Sequence, residues 1–180
     1  MSENTDIAPA TEGFEAKHLR AYIESGGKDG HYIDLSQIGG KSETPTLVLK
    51  TIGRHSGKPR LVPLAYGKLD GGFIIVGSKL GADVHPAWYL NLIELPEAEF
   101  QVGEACFRGY WRELDGEDRT RAWKRMVEDV YPPYADYQKG TTRRIPLIWL
   151  EPLARIDRFA AGEAAHSPHA WRDGPRSDPA

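Results

Sequence analysis

Apolar and polar residues alternate in short runs through the middle of the chain, a pattern that indicates β-strands. Turn sequences such as Asp70-Gly71-Gly72 and Gly103-Glu104 separate neighbouring runs, so we expect hairpins there. The predicted strands are Thr46–Ile52, Leu61–Leu69, Phe73–Gly77, Glu99–Val102, Ala105–Leu114 and Ile145–Leu150. Short strands in an even hairpin rhythm favour a closed barrel over a doubly wound α/β sheet.

Three other segments repeat apolar residues at helical spacing. The first starts at Phe14 and ends at Gly26-Gly27, and the second runs from Pro86 to Leu95 before Pro96. The third follows Asp115, whose side chain suits a helix N-cap, and reaches about Tyr131. Pro132-Pro133 ends it, because the residue before a proline disfavours helical backbone. The segment Lys28–Thr44 is irregular and predicts a loop with one short ordered piece.

These elements predict one α+β domain, mainly β, with an N-terminal helix and two inserted helices over residues 13–159. Residues 1–12 are polar and without periodicity, and residues 160–180 are rich in Ala, Gly, Pro and charge. Such segments cannot bury enough apolar surface to fold, so we expect a disordered N-terminus and a flexible tail. A chain of 180 residues is long enough for one ordinary domain with a single core.

Composition excludes several classes of function. The net charge is −3 and the isoelectric point about 6.1, so no global basic field favours nucleic acid. The one cysteine, Cys106, leaves no internal disulfide and no Cys-based metal site. The first residues lack the pattern of a signal peptide, and no apolar run reaches the roughly 20 residues of a membrane span. We expect a cytoplasmic protein without a membrane span.

The loop Gly53-Arg-His-Ser-Gly-Lys-Pro-Arg-Leu-Val-Pro63 stands between two predicted strands. It combines two glycines with the three permanent cations Arg54, Lys58 and Arg60. Free backbone N–H groups and converging Lys or Arg side chains are a good receptor for a phosphate or carboxylate, and glycine lets the backbone approach closely. The alternative is a solvated hairpin tip without a ligand.

Four further motifs follow in order: Gly77-Ser-Lys-Leu-Gly-Ala, His85-Pro-Ala-Trp-Tyr-Leu-Asn-Leu, Tyr131-Pro-Pro-Tyr-Ala-Asp-Tyr-Gln and Arg144-Ile-Pro-Leu-Ile-Trp-Leu-Glu-Pro. With the Gly53 loop, this series resembles the deazaflavin-dependent nitroreductase family, whose members use coenzyme F420 and are related to the flavin-binding split β-barrel oxidoreductases. The resemblance covers roughly residues 44 to 153. It implies a split β-barrel that holds F420, or alternatively FMN, and transfers a hydride to a nitroaromatic, a quinone or an activated alkene.

The resemblance also implies a set of cofactor-binding residues. The loop residues match those that bind the anionic tail, the next two strands match those along the ring, and Asn91 suits a phosphate or hydroxyl group because an amide both donates and accepts. In chain order the set is Arg54, His55, Ser56, Lys58, Arg60, Pro63, Leu64, Ala65, Val76, Gly77, Ser78, Lys79, Ala87, Trp88 and Asn91. His55 stands where the family usually has Lys or Arg, and Leu90 where it has His. For Leu64, Val76 and Trp88 the alternative is ordinary core packing.

Tyr131, Tyr134 and Tyr137 recur every three residues and match the family's substrate-binding tyrosines. A phenol offers a flat stacking surface and one donor, which suits an acceptor held over the ring. We therefore assign Tyr134, Tyr137 and Ser78 as candidate catalytic residues. Alternatively the tyrosines form an aromatic lid packed on the barrel, and Ser78 merely starts a loop.

No Ser-His-Asp, Cys-His or HExxH arrangement is evident, and the histidines do not have the spacing of metal ligands. The absence of a nucleophile fits hydride transfer, in which the cofactor carries the chemistry. Two hypotheses compete with the oxidoreductase. One is a cofactor-independent hydrolase or lyase that uses Tyr134 or Lys79 as acid or base. The other is a non-catalytic cofactor carrier. The expected partner is a small aromatic or quinone acceptor, and the protein is a monomer or homodimer.

Overall fold

The computed structural model describes residues 13–159. The predicted disordered segments 1–12 and 160–180 lie outside the described residues, so the domain boundaries stay a prediction. The helices are α1 (Phe14–Glu24), α2 (Ala87–Leu92), α3 (Gly116–Arg125) and α4 (Tyr134–Lys139). The strands are β1 (Tyr32–Ile33), β2 (Thr44–Ile52), β3 (Pro59–Ala65), β4 (Gly67–Leu69), β5 (Gly72–Val76), β6 (Ala98–Val102), β7 (Ala105–Glu113) and β8 (Leu147–Ile156).

The strands form one antiparallel sheet in the order β1-β2-β6-β7-β8-β5-β4. Strand β3 pairs with β2 on the side opposite to β6. The sheet curls until β3 contacts β5, although no backbone ladder joins these two strands in the described part of the chain. The barrel is therefore open along the edge between β3 and β5. This arrangement confirms the predicted split β-barrel with an N-terminal helix, but residues 13–159 contain three inserted α-helices, α2 to α4, where two were predicted.

Two apolar clusters share the sheet. The barrel interior receives side chains from most strands and from α2, including Leu49, Ile75 and Phe100. The second cluster lies outside the barrel, where α3 and α4 cover β5 and β8, and it includes Ile74. Ile74 and Ile75 belong to different clusters because successive side chains of a strand point to opposite faces. Strand β5 thus has a buried residue on each face, which explains the apolar run that predicted it.

Several element boundaries differ from the prediction. The run Leu61–Leu69 divides at Tyr66, whose backbone N–H donates to the Pro45 carbonyl (3.0 Å) while β4 goes on to pair with β5. Helix α3 passes into a single π-helical turn, Met126–Val130, and ends at Tyr131 as predicted. The Asp115 side chain accepts the Gly116 N–H at 2.7 Å, which confirms the predicted cap. No helix of residues 13–159 is both long and apolar enough to cross a membrane.

Candidate functional site

The basic loop between β2 and β3 is a tight, closed turn. The Gly53 N–H donates to the Lys58 carbonyl (2.8 Å), and the Gly57 N–H donates to the Gly53 carbonyl (2.7 Å). Gly57 has a left-handed backbone (φ 67°), and a Cβ on Gly53 would lie 2.5 Å from the Ser56 Oγ. Both glycines are therefore required by the turn itself. The side chains of Arg54, His55, Ser56 and Lys58 are exposed and that of Arg60 is half-buried, so the cations surround the turn in contact with solvent.

Asn91 of α2 fixes the first of these cations. Its Oδ1 accepts two hydrogen bonds from Arg54, one from the backbone N–H and one from Nη1, both at 3.1 Å. Its Nδ2 donates to the Thr51 Oγ1 at 3.5 Å, and the residue is 95% buried (5% exposed). Asn91 was predicted as a cofactor contact, but here its amide is engaged with the protein and ties α2 to the basic loop.

The open edge brings together predicted residues from β3 and β5. Ala65 is the last residue of β3, and Val76 is the last residue of β5. Both side chains belong to the outer apolar cluster. Gly77 follows, and a Cβ there would lie 2.6 Å from the Pro146 Cγ. The edge is thus walled by small or apolar groups, with half-buried Ser78 and exposed Lys79 at its end.

Other predicted ring contacts lie elsewhere. Leu64 and Trp88 pack into the barrel interior, behind the wall formed by Ala65 and Val76. Pro63 is half-buried, and Ala87, the first residue of α2, is exposed. The structure therefore gives Leu64 and Trp88 the core position that the sequence left as the alternative.

The three tyrosines of the segment 131–137 pack against each other beside the wall. Their ring centroids are 5.0 to 6.3 Å apart, and all three belong to the same outer cluster as Ala65 and Val76. The Tyr131 hydroxyl lies 3.1 Å from that of Tyr137 and 3.4 Å from the Ile38 carbonyl oxygen, to which it donates. The residues described here offer the Tyr134 hydroxyl no hydrogen-bond partner.

Burial sets the protonation of these phenols. It raises the pKa of Tyr134, and the neighbouring Tyr131 and Tyr137 raise it further. Burial likewise raises the pKa of Tyr131, assisted by the hydrogen bond with Tyr137. Both phenols therefore stay neutral at and well above physiological pH, so each keeps a hydroxyl proton to donate.

Arg143 is a site residue that the sequence did not single out. It lies between α4 and β8, half-buried, and its guanidinium donates to three backbone carbonyls of the loop that follows β5. The same guanidinium lies 3.2 Å from the Nδ1 of His85, and burial together with this cation lowers the pKa of His85. The adjacent Arg144 is exposed and forms an ion pair with Asp115 at 2.6 Å. In sequence the two arginines look alike, and only the fold distinguishes them.

A split barrel with an apolar open edge, a cationic turn and a covering aromatic segment defines the class of split-barrel oxidoreductases that hold a flat anionic cofactor. A model of the family described as F420H(2)-dependent quinone reductase matches residues 17–152, and the chain belongs to this family. The chain is 31% identical over 135 residues to the F420H(2)-dependent quinone reductase Rv1261c of Mycobacterium tuberculosis. The aligned region covers 74% of this chain and 86% of that relative.

Two solved structures are also similar. One, described as an F420-H2 dependent reductase (FDR-A), is 42% identical, covers 59% of this chain and 94% of its own, and superposes with a TM-score of 0.55. The other, described as a domain-swapped dimer, is 36% identical, covers 75% and 95%, and has a TM-score of 0.57.

Family membership confirms that the protein is an oxidoreductase and that its cofactor is F420. Family membership favours the oxidoreductase over the hydrolase or lyase and over the carrier. The family's description names quinone reductases, which is compatible with the broader nitroreductase resemblance found in the sequence.

Proposed function

We propose that this protein reduces a quinone with F420H2 bound along the open edge between β3 and β5. The observation that carries the proposal is the placement of three features along β3. The cationic turn lies at its start, and Ala65 at its end packs against the outer apolar cluster, which includes Val76 and the tyrosines. The seven residues of β3 span roughly 20 Å, at about 3.3 Å per residue. An elongated cofactor with a ring at one end and an anionic tail at the other fits this separation.

The donors present at the turn fit the tail of F420. Arg54, Lys58 and Arg60 carry permanent charge for its phosphate and carboxylate groups, and Ser56 adds a hydroxyl. His55 is exposed on the same turn and offers its ring nitrogens as further hydrogen-bonding groups. Because Asn91 already holds Arg54, this guanidinium loses little freedom when an anion arrives.

The residues around the open edge fit the ring and the acceptor. When bound, reduced F420 supplies the hydride. Pro63, Ala65, Val76 and Gly77 form a wall against the ring, and Leu64 and Trp88 support this wall from the barrel interior. Ser78 and Lys79 lie at the end of the wall, where they bind polar atoms of the ring or the acceptor.

The tyrosines hold the acceptor and donate to its oxygen. The neutral Tyr134 hydroxyl is the catalytic donor, because it keeps its proton and makes no hydrogen bond within residues 13–159. Tyr137 is fixed through the hydroxyl of Tyr131 and shares the contact with the acceptor. A donor placed where negative charge develops stabilises the transition state.

Turnover tests this function. Purified protein is mixed with F420H2 and a soluble quinone, a nitroaromatic or no acceptor, and oxidation of F420H2 is followed by its absorbance. We expect rapid oxidation with the quinone and only background oxidation without an acceptor. FMNH2 in place of F420H2 is expected to support little turnover. Equal rates with and without the protein would contradict the proposal.

The cytoplasmic location and the homodimeric state are also part of the proposal. The similar structure described as a domain-swapped dimer supports a dimer over a monomer. Light scattering during size-exclusion chromatography decides between them, and cell fractionation tests the location.

A further inference from the structure

One guanidinium holds most of the loop that follows β5. The Nε of Arg143 donates to the Ala82 carbonyl (2.7 Å), Nη1 to the Gly77 carbonyl (3.0 Å) and Nη2 to the Ser78 carbonyl (2.6 Å). Nη1 also lies 3.2 Å from the Nδ1 of His85. All three nitrogens of the Arg143 side chain therefore contact residues 77–85. A rigid fork of five N–H groups can bridge several carbonyls at once, which a single ammonium cannot.

The loop needs such support because its backbone is strained. Lys79, Leu80 and Gly81 have left-handed φ values of 46°, 54° and 81° in succession. Residues with a Cβ adopt this conformation only when their surroundings enforce it. Leu80 is 77% exposed, so its own side chain does not anchor the turn. Only two backbone hydrogen bonds close the turn from within, as far as residues 13–159 show: the Gly81 N–H donates to the Ser78 carbonyl and the Ala82 N–H to that of Lys79, both at 3.0 Å.

The same loop is joined to the tyrosine segment. A Cβ on Gly81 would lie 2.9 Å from the Tyr137 carbonyl oxygen, so the two backbones are in close contact. The Thr141 Oγ1 donates to the Asp83 Oδ1 at 2.7 Å and accepts the Arg143 N–H at 3.3 Å. The residues just after α4 therefore bind the loop that carries Ser78. A shift of this loop changes the distance between Ser78 and the tyrosines.

We propose that Arg143 is a positioning residue, which holds Ser78 and the left-handed turn 79–81 against the tyrosine segment. The inference rests on the proposed function of this site. Arg143 touches neither cofactor nor acceptor in this role. It sets the geometry of residues that do, and a displacement of about 1 Å in an active site can cost about 100-fold in rate.

The test compares Arg143→Ala with Arg144→Ala, because the chain supplies a neighbouring arginine that makes only an exposed ion pair with Asp115. For Arg143→Ala we expect kcat with F420H2 and a quinone to fall about 100-fold. The Kd for F420 should change less than about threefold, because the cationic turn is untouched. Methylguanidinium added to Arg143→Ala should restore part of kcat, whereas Arg143→Lys should not. Arg144→Ala should behave as wild type and show no response to methylguanidinium.

Hydrogen exchange supplies a readout that does not depend on turnover. The Gly81 and Ala82 amides should exchange faster in Arg143→Ala than in wild type, with unchanged exchange in the barrel strands. Wild-type kcat, unchanged exchange in the loop, or a loss of kcat that only follows the folded fraction would each overturn the positioning role. If wild-type protein does not oxidise F420H2, the proposed function fails, and the exchange of these amides still decides whether Arg143 holds the loop.

Discussion

At the scale of single residues, Asn91 acts on the site through Arg54. Its buried Oδ1 accepts both the backbone N–H and the Nη1 of Arg54, so a neutral amide on α2 sets the direction of a cation on the neighbouring turn. The sequence suggested a direct cofactor contact, since an amide suits a phosphate. In the structure Asn91 pairs with Arg54 and Thr51, so we propose that it acts on the cofactor through Arg54.

Asn91→Leu removes this anchor at similar volume. We expect a loss of about 1 kcal/mol per hydrogen bond, hence a melting temperature lower by several degrees, and a Kd for F420 raised about tenfold because Arg54 is no longer held. Asn91→Asp keeps the acceptor and should retain the affinity. Differential scanning fluorimetry and an F420 titration measure both effects. Wild-type behaviour of the Leu variant in both measurements would show that the anchor is unimportant.

Tyr134→Phe deletes a hydroxyl that the described residues leave without a partner. We expect kcat to fall tenfold to a hundredfold, a barrier change of roughly 1.4–2.8 kcal/mol, with an unchanged melting temperature. The wild-type protein should lose no activity through ionisation of Tyr134 below about pH 10, since burial raises the pKa of Tyr134 above that ordinary value.

Tyr131→Phe is the matched control, because the Tyr131 hydroxyl bonds the Ile38 carbonyl and Tyr137. Its removal should lower the melting temperature by several degrees, in line with about 1 kcal/mol. Stability loss in Tyr134→Phe with normal turnover of the folded fraction would remove Tyr134 from the catalytic role.

The closed geometry of the basic turn was predictable because it depends on neighbouring residues. Gly53, Gly57 and the cations of one turn are adjacent in sequence, so their closed geometry follows from short-range rules. Arg143 could not be found in this way. Its partners are residues 77–85, about 60 positions upstream, and only the packing of α4 and β8 separates its role from that of Arg144.

At the scale of elements, the loop 77–85 contains a titratable contact. His85 accepts a hydrogen bond from Arg143 only while its Nδ1 is unprotonated. Burial and the Arg143 cation lower the pKa of His85, and Glu113 partly opposes them. The Tyr89 ring lies 4.7 Å from the His85 ring and its hydroxyl binds Glu113, while Asp83 lies on the same loop near Arg143.

The sign of the pH effect follows from this lowered pKa. The folded loop accommodates neutral His85 better than protonated His85. This contribution to folding stability is fully present above about pH 6.5, the pKa of histidine in the unfolded chain, and is lost as the pH falls through the lower pKa of His85 in the folded protein. We expect kcat to fall on the acid side, below pH 6.5, as the protonated ring is repelled by Arg143. His85→Asn keeps an acceptor that does not titrate and should lack this acid limb. An unchanged acid limb in His85→Asn would assign it to another group.

Element boundaries were predictable only where a breaker residue marks them. Pro132 and the Asp115 cap fixed α3, whereas β8 starts at Leu147 and continues to Ile156, well beyond the predicted end at Leu150. The added residues of β8 pair with β7 at the exposed end of the sheet, so they need no apolar pattern. The sequence did not decide whether the segment of α4 is helical, because a threefold repeat of tyrosines suits a helical turn and an extended segment alike.

At the scale of the whole molecule, the open edge of the barrel unites the site. The barrel interior supports the wall from one side, and the outer cluster places the tyrosines on the other. The chain order of the motifs implied this assembly only through the family resemblance, because periodicity gives strands but not which two of them remain unpaired. The structure adds the distance along β3 between the cationic turn and the apolar wall.

The affinity of F420 for a variant of the cationic turn tests this account most directly. Lys58→Ala with Arg60→Ala removes two charged hydrogen-bond donors at about 1.5 kcal/mol or more each, so the Kd should rise roughly 100-fold or more. The control Arg121→Ala with Arg125→Ala removes two exposed arginines of α3 outside the proposed site. Tryptophan quenching during F420 titration gives both values, and the melting temperature checks the fold. The account predicts weak binding by the Lys58/Arg60 variant and wild-type binding by the Arg121/Arg125 variant. Equal, undiminished affinity in both would contradict it.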